Sequence, residues 1–390
     1  MSSKLRILAK VGRCFGAGET FVGAGSIGAI AGLPPARIVV LASGSIAANP
    51  AHTDKLDRAL ARQSYKIIPM PSGEPCLENL QEVMLRVSDY RPDWIIAVGG
   101  GSVLDAAKII WIFYEHPDIE LDILSRPFAI PPLRGQARFI AVPTTAGTGS
   151  EASSAAVFQS KSGERKSFAV THDLLPDIAI LDPQFMDGLP RKIAISSAFD
   201  ALSHAVEGYI SPYANEMTRQ LAQQSCHKIL SIMESGMEIN EEKTSEALLV
   251  AASFAGIVQN IAIPGIGHAI SHEFSSLGIN HGTMCGAMLP IAMEFNSSSK
   301  NIAEAYDQLA QDIGLGSHSA LIEKIDALLT RHAVQEDIPI DDISKRTTLE
   351  GYTSSVLSDP CAIANPIRLD PEHIMKVSEH LVSKLRGAVS

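Results

Sequence analysis

The chain has 390 residues, 46% of them hydrophobic and 19% charged, a balance that excludes a disordered protein and leaves room for two domain cores. A formal charge of −11 with no lysine or arginine run argues against a nucleic-acid partner, because a phosphate backbone needs a basic face. Five scattered cysteines without a CxxC pair argue against a disulfide framework, and no uncharged apolar stretch approaches the ~20 residues of a membrane span, so a cytoplasmic protein with no membrane partner is expected.

The first glycine-rich stretch is "FVGAGSIGAI" (21–30), where Gly23, Gly25 and Gly28 have GxGxxG spacing. Its surroundings are poor for a dinucleotide site. The preceding "CFGAGETF" is only weakly strand-like, and residues 43–50 hold no acid for a ribose 2′-hydroxyl. The stretch therefore reads as a lead-in turn in which Gly23 and Gly25 admit tight backbone geometry.

Strand-like runs follow at "RIVVLAS" (37–43), "SYKIIPM" (64–70), "DWIIAVGGG" (93–101), "RFIAVPTT" (138–145) and "DIAILDP" (177–183). Between them "TDKLDRALARQ", "CLENLQEVMLRVSDY" and "VLDAAKIIWIFYEH" carry helical spacing, so βαβ units and a mostly parallel sheet are expected. Two of the strands run into polar glycine loops. Gly99, Gly100, Gly101 and Ser102 precede a helix whose free N–H groups and positive dipole end suit a phosphate. In "FIAVPTTAGTGSE", Thr144, Thr145, Thr148 and Ser150 stand at a strand's carboxyl end, where open α/β sheets bind ligands.

After "LDPQFMDGLPRKI" the strand signal ends and amphipathic helical stretches run onward. The boundary is placed in 183–190, giving an α/β domain at 1–186 and an all-helical domain at 187–390. In "SSAFDALSHAVEGY", Asp200 and His204 are four apart and share a helix face. In "GIGHAISHEFSSLGINHG", His268 and His272 are four apart, and His281 follows a glycine-containing loop. Pro264 and Gly265 should kink or start the helix that carries His268. A carboxylate with imidazole nitrogens suits Fe²⁺ or Zn²⁺, and an incomplete shell leaves room for a substrate oxygen. A lone histidine on a buried helix face is most often hydrogen-bonded core, and the scattered histidines elsewhere are read as surface or structural.

The stretches "GGGSVLDAAK", "AVPTTAGTGSEAS", "LLPDIAILDP", "FDALSHAVEGY" and "HAISHEFSSLGINHG", in that order, resemble the iron-containing (group III) alcohol dehydrogenases over nearly the whole chain. The resemblance implies an N-terminal Rossmann-like α/β nucleotide-binding domain and an all-α C-terminal metal-binding domain, the dehydroquinate synthase-like architecture, with the active site in the cleft between them. It implies Asp200, His204, His268 and His281 as ligands of a divalent metal, iron first and zinc second. His272 would stand beside the metal without ligating it and assist proton relay near the nicotinamide. Gly99, Gly100, Gly101 and Ser102 would hold the pyrophosphate, Thr144, Thr145 and Thr148 would line the cofactor cleft, and Lys166 in "GERKSF" would reach the ribose. Where many NAD-using members carry an acid, this chain has Ser43, Gly44 and Ser45, which could accept a 2′-phosphate. NADP(H) is therefore at least as well favoured as NAD(H).

The implied reaction is hydride transfer between the nicotinamide and a primary alcohol or aldehyde, in a homodimer or larger homo-oligomer. Three alternatives stay open. One is a maleylacetate-reductase-like or dehydroquinate-synthase-like enzyme of the same superfamily. The former usually lacks part of the metal set that is complete here, and the latter uses Glu with two His. The others are a metal-dependent hydrolase and a metal- or nucleotide-binding protein without catalysis, which oxidation of a reduced nicotinamide by an aldehyde would distinguish.

Overall fold

The apolar runs of the first half become strands in a computed structural model that describes residues 14–161, 166–239 and 241–389. The strands are β1 (Glu19–Val22), β2 (Arg37–Ala42), β3 (Ser64–Pro69), β4 (Trp94–Gly99), β5 (Arg138–Pro143), β6 (Ala155–Phe158), β7 (Ser167–Val170) and β8 (Ile178–Leu181). Six of them form one sheet in the order β1-β8-β5-β4-β2-β3, and every pairing in it is parallel. β6 and β7 make a separate antiparallel pair.

Helices cover both faces of the sheet, which is why its four inner strands β2, β4, β5 and β8 read as continuous apolar runs rather than as alternations. Ile38, Val40, Ile96, Val98, Ile140 and Val142 face α1 (Pro50–Ala59) and the GAGSIG segment. Their neighbours Val39, Leu41, Ile95, Ala97, Phe139 and Ala141 face α2 (Leu77–Tyr90) and α3 (Gly101–Glu115). From β2 the chain turns to β3 on one side and returns to β4 on the other. The β2/β4 junction is thus the topological switch point, where open α/β sheets bind ligands.

The weakly strand-like stretch before the first glycines is in fact the edge strand β1. All four of its residues are exposed, so no buried face imprints an apolar pattern on it. Gly23 (φ 111°) and Gly25 (φ 75°) then turn the chain in the left-handed region into a short 3₁₀ segment, Ser26–Gly32. The Ile27 N–H in its first turn donates to the buried Asp182 carboxylate at 3.1 Å, so the protein itself supplies an anion there.

The chain forms two compact units. One takes Phe15–Leu189 with Ile239–Gly256, the other Pro190–Glu238 with Ile257 onward. The second half runs through α4 (Arg191–Tyr209), α5 (Glu216–Ser235), α6 (Glu242–Gln259), α7 (Ile266–Glu273) and α8 (His281–Asn296), with further helices to the last at Pro371–Val389. Most of α6, through Gly256, belongs to the first unit. In the second unit α4 is central, buried at every residue from Ala198 to Tyr209 and packed against α5 and α8. Gly282 and Gly286 let α8 approach it closely. A Cβ on Gly282 would lie 2.0 Å from the Ser196 carbonyl oxygen, and one on Gly286 would lie 2.9 Å from the Phe199 ring. Among the described residues no helix is long and apolar enough to cross a membrane.

Candidate active site

In the first unit, three loops expected to meet a nucleotide lie side by side at the carboxyl edge of the sheet. Ser43 N–H donates to the Val98 carbonyl at 2.9 Å, and Thr144 N–H to the Gly99 carbonyl at 3.0 Å. These bonds carry the β2–β4–β5 register into the loops and bring Ser43, Gly44 and Ser45 beside Gly99–Ser102 and Thr144. Ser43 also caps the short turn that follows, accepting from Ile46 N at 3.3 Å, and its hydroxyl stands 3.1 Å from that of Ser45. Gly100 caps α3 through its backbone, and Gly101 opens the helix. A Cβ on Gly101 would meet the Thr148 hydroxyl at 2.6 Å, and one on Gly100 would meet that of Thr145 at 3.2 Å. Close packing of these threonines on the helix start thus accounts for two of the three glycines.

The loop after β5 is tied to α3 by buried charge. Lys108, fully buried, donates to the carbonyls of Ser150, Ser153 and Ala155 at 2.7, 2.8 and 3.0 Å. Burial pushes its ammonium down to about 8 despite the nearby Asp105 and Glu151. Asp105 accepts from the Ser150 hydroxyl at 2.6 Å and from Val157 N at 3.0 Å, which anchors the β6–β7 pair as well. Lys166, just before β7, pairs with Glu74 at 3.0 Å. Glu74 and Ser102 both line a small hollow.

In the second unit, α4, α7 and α8 bring donor atoms of Asp200, His268 and His281 within 4.8 Å of one another, and His204 lies against Asp200 outside that group. The Asp200 Oδ1 stands 3.9 Å from His204 Nδ1, 3.8 Å from His268 Nε2 and 3.7 Å from His281 Nε2. These distances are too long for hydrogen bonds. They approach the separation of about 3.4 Å expected for donors 2.1 Å from one tetrahedral ion. Asp200 Oδ1, His204 Nδ1 and His268 Nε2 are buried without a hydrogen-bond partner, a state that costs stability unless something fills the space between them. The residues present therefore fit a divalent cation. His281 keeps 23% of its side-chain exposure, against 4% for Asp200 and 2% for His268, so access to the cluster runs past His281.

Local structure explains each placement. Asp200 and His204 lie one turn apart on α4, and α7 starts at Ile266 with Gly265 as its cap, as the Pro-Gly pair requires. Asn280 caps α8, accepting from Gly282 N at 3.0 Å, and sets His281 as its first residue. Burial opposes ionisation of Asp200, but His204, His281 and His268 outweigh it and hold the carboxyl well below the usual carboxylate range. Burial pushes His204 down to about 3 despite Asp200, leaving the neutral imidazole that ligation needs. It also disfavours the charged form of His268, yet Cys285, Glu207 and Asp200 together raise that group well above its ordinary value.

Three further residues of this site carry no motif in the sequence reading. Glu207 takes His268 Nδ1 as a close hydrogen-bond partner and accepts from Gly265 N at 3.2 Å and Gly267 N at 2.8 Å. It caps α7 and aims His268 Nε2 at Asp200 in one stroke. Its position seven after Asp200, on the same helical face, was the available signal. Asp359 accepts from His272 Nδ1 at 3.0 Å and is held by Cys361 N at 2.8 Å. His272 stacks on His281 with ring centres 5.2 Å apart. Cys285, one turn after His281, places its sulfur 3.5 Å from His281 Nε2.

A parallel α/β unit with serine- and glycine-rich loops at its switch point, and a helical unit built around an Asp–His cluster, define the class of fold. Comparison with known proteins narrows it. The sequence profile of iron-containing alcohol dehydrogenases matches residues 17–183, and that of the C-terminal part of the Fe-containing alcohol dehydrogenase family matches residues 194–382. The chain is 28% identical over 373 residues to an NADPH-dependent butanol dehydrogenase of Clostridium saccharobutylicum, covering 93% of this chain and 95% of that one. It is 30% identical over 318 residues to an alcohol dehydrogenase of Thermococcus barophilus, covering 78% and 81%. The structure of an iron-containing alcohol dehydrogenase from Thermococcus thioreducens superimposes with a TM-score of 0.85 at 28% identity, covering 95% of this chain and all of the other. The chain belongs to the iron-containing alcohol dehydrogenase family.

Proposed function

We propose that this protein is a metal-dependent, NADP(H)-preferring alcohol dehydrogenase that interconverts a primary alcohol and its aldehyde. The observation that carries the reading is the set of buried, unpartnered donor atoms on Asp200, His204 and His268, with His281 beside them at the open side. A bound divalent cation, Fe²⁺ first and Zn²⁺ second, supplies Lewis acidity toward the substrate oxygen, and a nicotinamide supplies or accepts the hydride.

The protein's own residues orient and exclude. Asp200, His204, His268 and His281 would hold the cation, which would displace the second proton of His268, and Glu207 holds His268 Nδ1 so that Nε2 faces Asp200. Asp359 orients His272 through its Nδ1, and His272 would hold or pass the proton of the alcohol. The first turn of α3, from Gly99 to Ser102, would bind the pyrophosphate, while Thr144, Thr145 and Thr148 line the nicotinamide side. Lys166 would reach the ribose. Ser43, Gly44 and Ser45 end β2 without a carboxylate, so nothing there repels a 2′-phosphate, and the serine hydroxyls can donate to it. A similar protein in the comparison is NADPH-dependent by name, which supports the same choice.

His268→Ala tests the reading. The variant should keep its helical spectrum, lose tight binding of the cation, and lose aldehyde reduction with it. Wild-type turnover by that variant would remove the cation from the mechanism.

A further inference from the structure

The group of donor atoms that all lie within 4.8 Å of one another contains Asp200, His268 and His281, and also Cys285. A buried cysteine on a helix is ordinarily a small apolar filler. The surroundings of Cys285 are not apolar filler. Its sulfur lies 3.5 and 3.8 Å from the two ring nitrogens of His281, one helical turn before it, and it is 1% exposed. The close approach of α8 to α4, set by Gly282 and Gly286 on either side of it, keeps the thiol in the cluster. Independently, Asp200 Oδ1 and His268 Nε2 lie buried in the same cluster without hydrogen-bond partners.

We propose that Cys285 is a further donor to this site, a sulfur ligand that shifts its preference toward thiophilic divalent ions such as Zn²⁺ and Co²⁺. The inference rests on the cation site proposed above and concerns which atoms complete it. A site of one carboxylate and imidazoles is of borderline hardness, and adding a thiolate moves it toward the soft end. On binding, the S–H proton leaves to solvent and a sulfur–metal bond takes its place. The signature is spectroscopic and needs no turnover.

The full-length protein, reduced and free of oxygen, is loaded with one Co²⁺ per chain and its absorption recorded. The expected spectrum has visible ligand-field bands and a near-ultraviolet thiolate-to-cobalt charge-transfer band. Cys285→Ser should keep the bound Co²⁺ and the visible bands, lose the charge-transfer band, and bind Zn²⁺ roughly tenfold or more weakly in chelator competition. Cys361→Ser should keep the band, because Cys361 groups with His272 and Asp359 rather than with Asp200. A Co²⁺-loaded wild type without the band overturns the sulfur ligand whatever the variants do, as does a band that survives Cys285→Ser. Failure of the wild type to bind Co²⁺, or binding unchanged in His268→Ala, brings down the cation site itself and the sulfur ligand with it.

Discussion

At the scale of single residues, the cluster of Asp200 and the histidines is oriented by acids outside it. Glu207 is buried, points Nε2 of His268 at Asp200, and satisfies two N–H groups at the start of α7. Glu207→Gln keeps the shape and part of the hydrogen bonding but weakens the acceptor behind His268. Cation affinity should fall about 10- to 100-fold in chelator competition, with the folded spectrum retained. Affinity equal to wild type would reduce Glu207 to a helix cap. The ligand candidates were legible because i,i+4 spacing is local, as in Asp200–His204. Asp359 was not, because it lies 87 residues beyond His272 and only the tertiary fold joins them. Cys285 was hidden for a different reason: a cysteine in an apolar helix is indistinguishable by pattern from core.

At the scale of elements, the site is as good as the fit of α8 on α4. The backbone of Gly282 approaches so closely that a methyl group would sit 2.0 Å from the Ser196 carbonyl and 3.1 Å from the Asp200 Cβ. Gly282→Ala must push the helices apart, and His281, the adjacent residue, moves with them. The expected result is a loss of about 2 kcal/mol or more in denaturant unfolding together with weakened cation binding. Unchanged stability would show that α8 yields without cost. The glycines of this contact were visible in the sequence, but their purpose was not, because a partner helix is set by packing rather than by pattern. The four inner strands β2, β4, β5 and β8 were legible as apolar runs for the opposite reason, since both of their faces are covered, while the edge strand β3 was read from the apolar residues Tyr65, Ile67 and Ile68 between exposed ones. The exposed edge strand β1 and the four-residue strands β6 and β7 carry too little pattern to be read.

At the scale of the whole molecule, buried charge in the first unit should set how stability depends on pH. Burial raises Glu151 from an ordinary 4.5 to about 7. Between those values the folded protein holds more protons than the unfolded chain, so stability is greatest below 4.5 and falls as pH rises through 7, by up to about 3 kcal/mol. Lys108, lowered from 10.5 to about 8, acts with the opposite sign in a higher window, adding stability as pH climbs from 8 to 10.5. Denaturant titrations of wild type and Glu151→Gln from pH 5 to 8 should diverge, the wild type losing ground as pH rises; parallel curves would place the charge of Glu151 in water. The central claim, that the cation cluster performs aldehyde reduction with a nicotinamide, is tested most directly by stripping the metal anaerobically, restoring Fe²⁺ or Zn²⁺, and following oxidation of NADPH and of NADH over a panel of aldehydes. The account predicts turnover that falls about a thousandfold or more on stripping, returns on reloading, and is faster with NADPH. Full turnover by the stripped protein would contradict it.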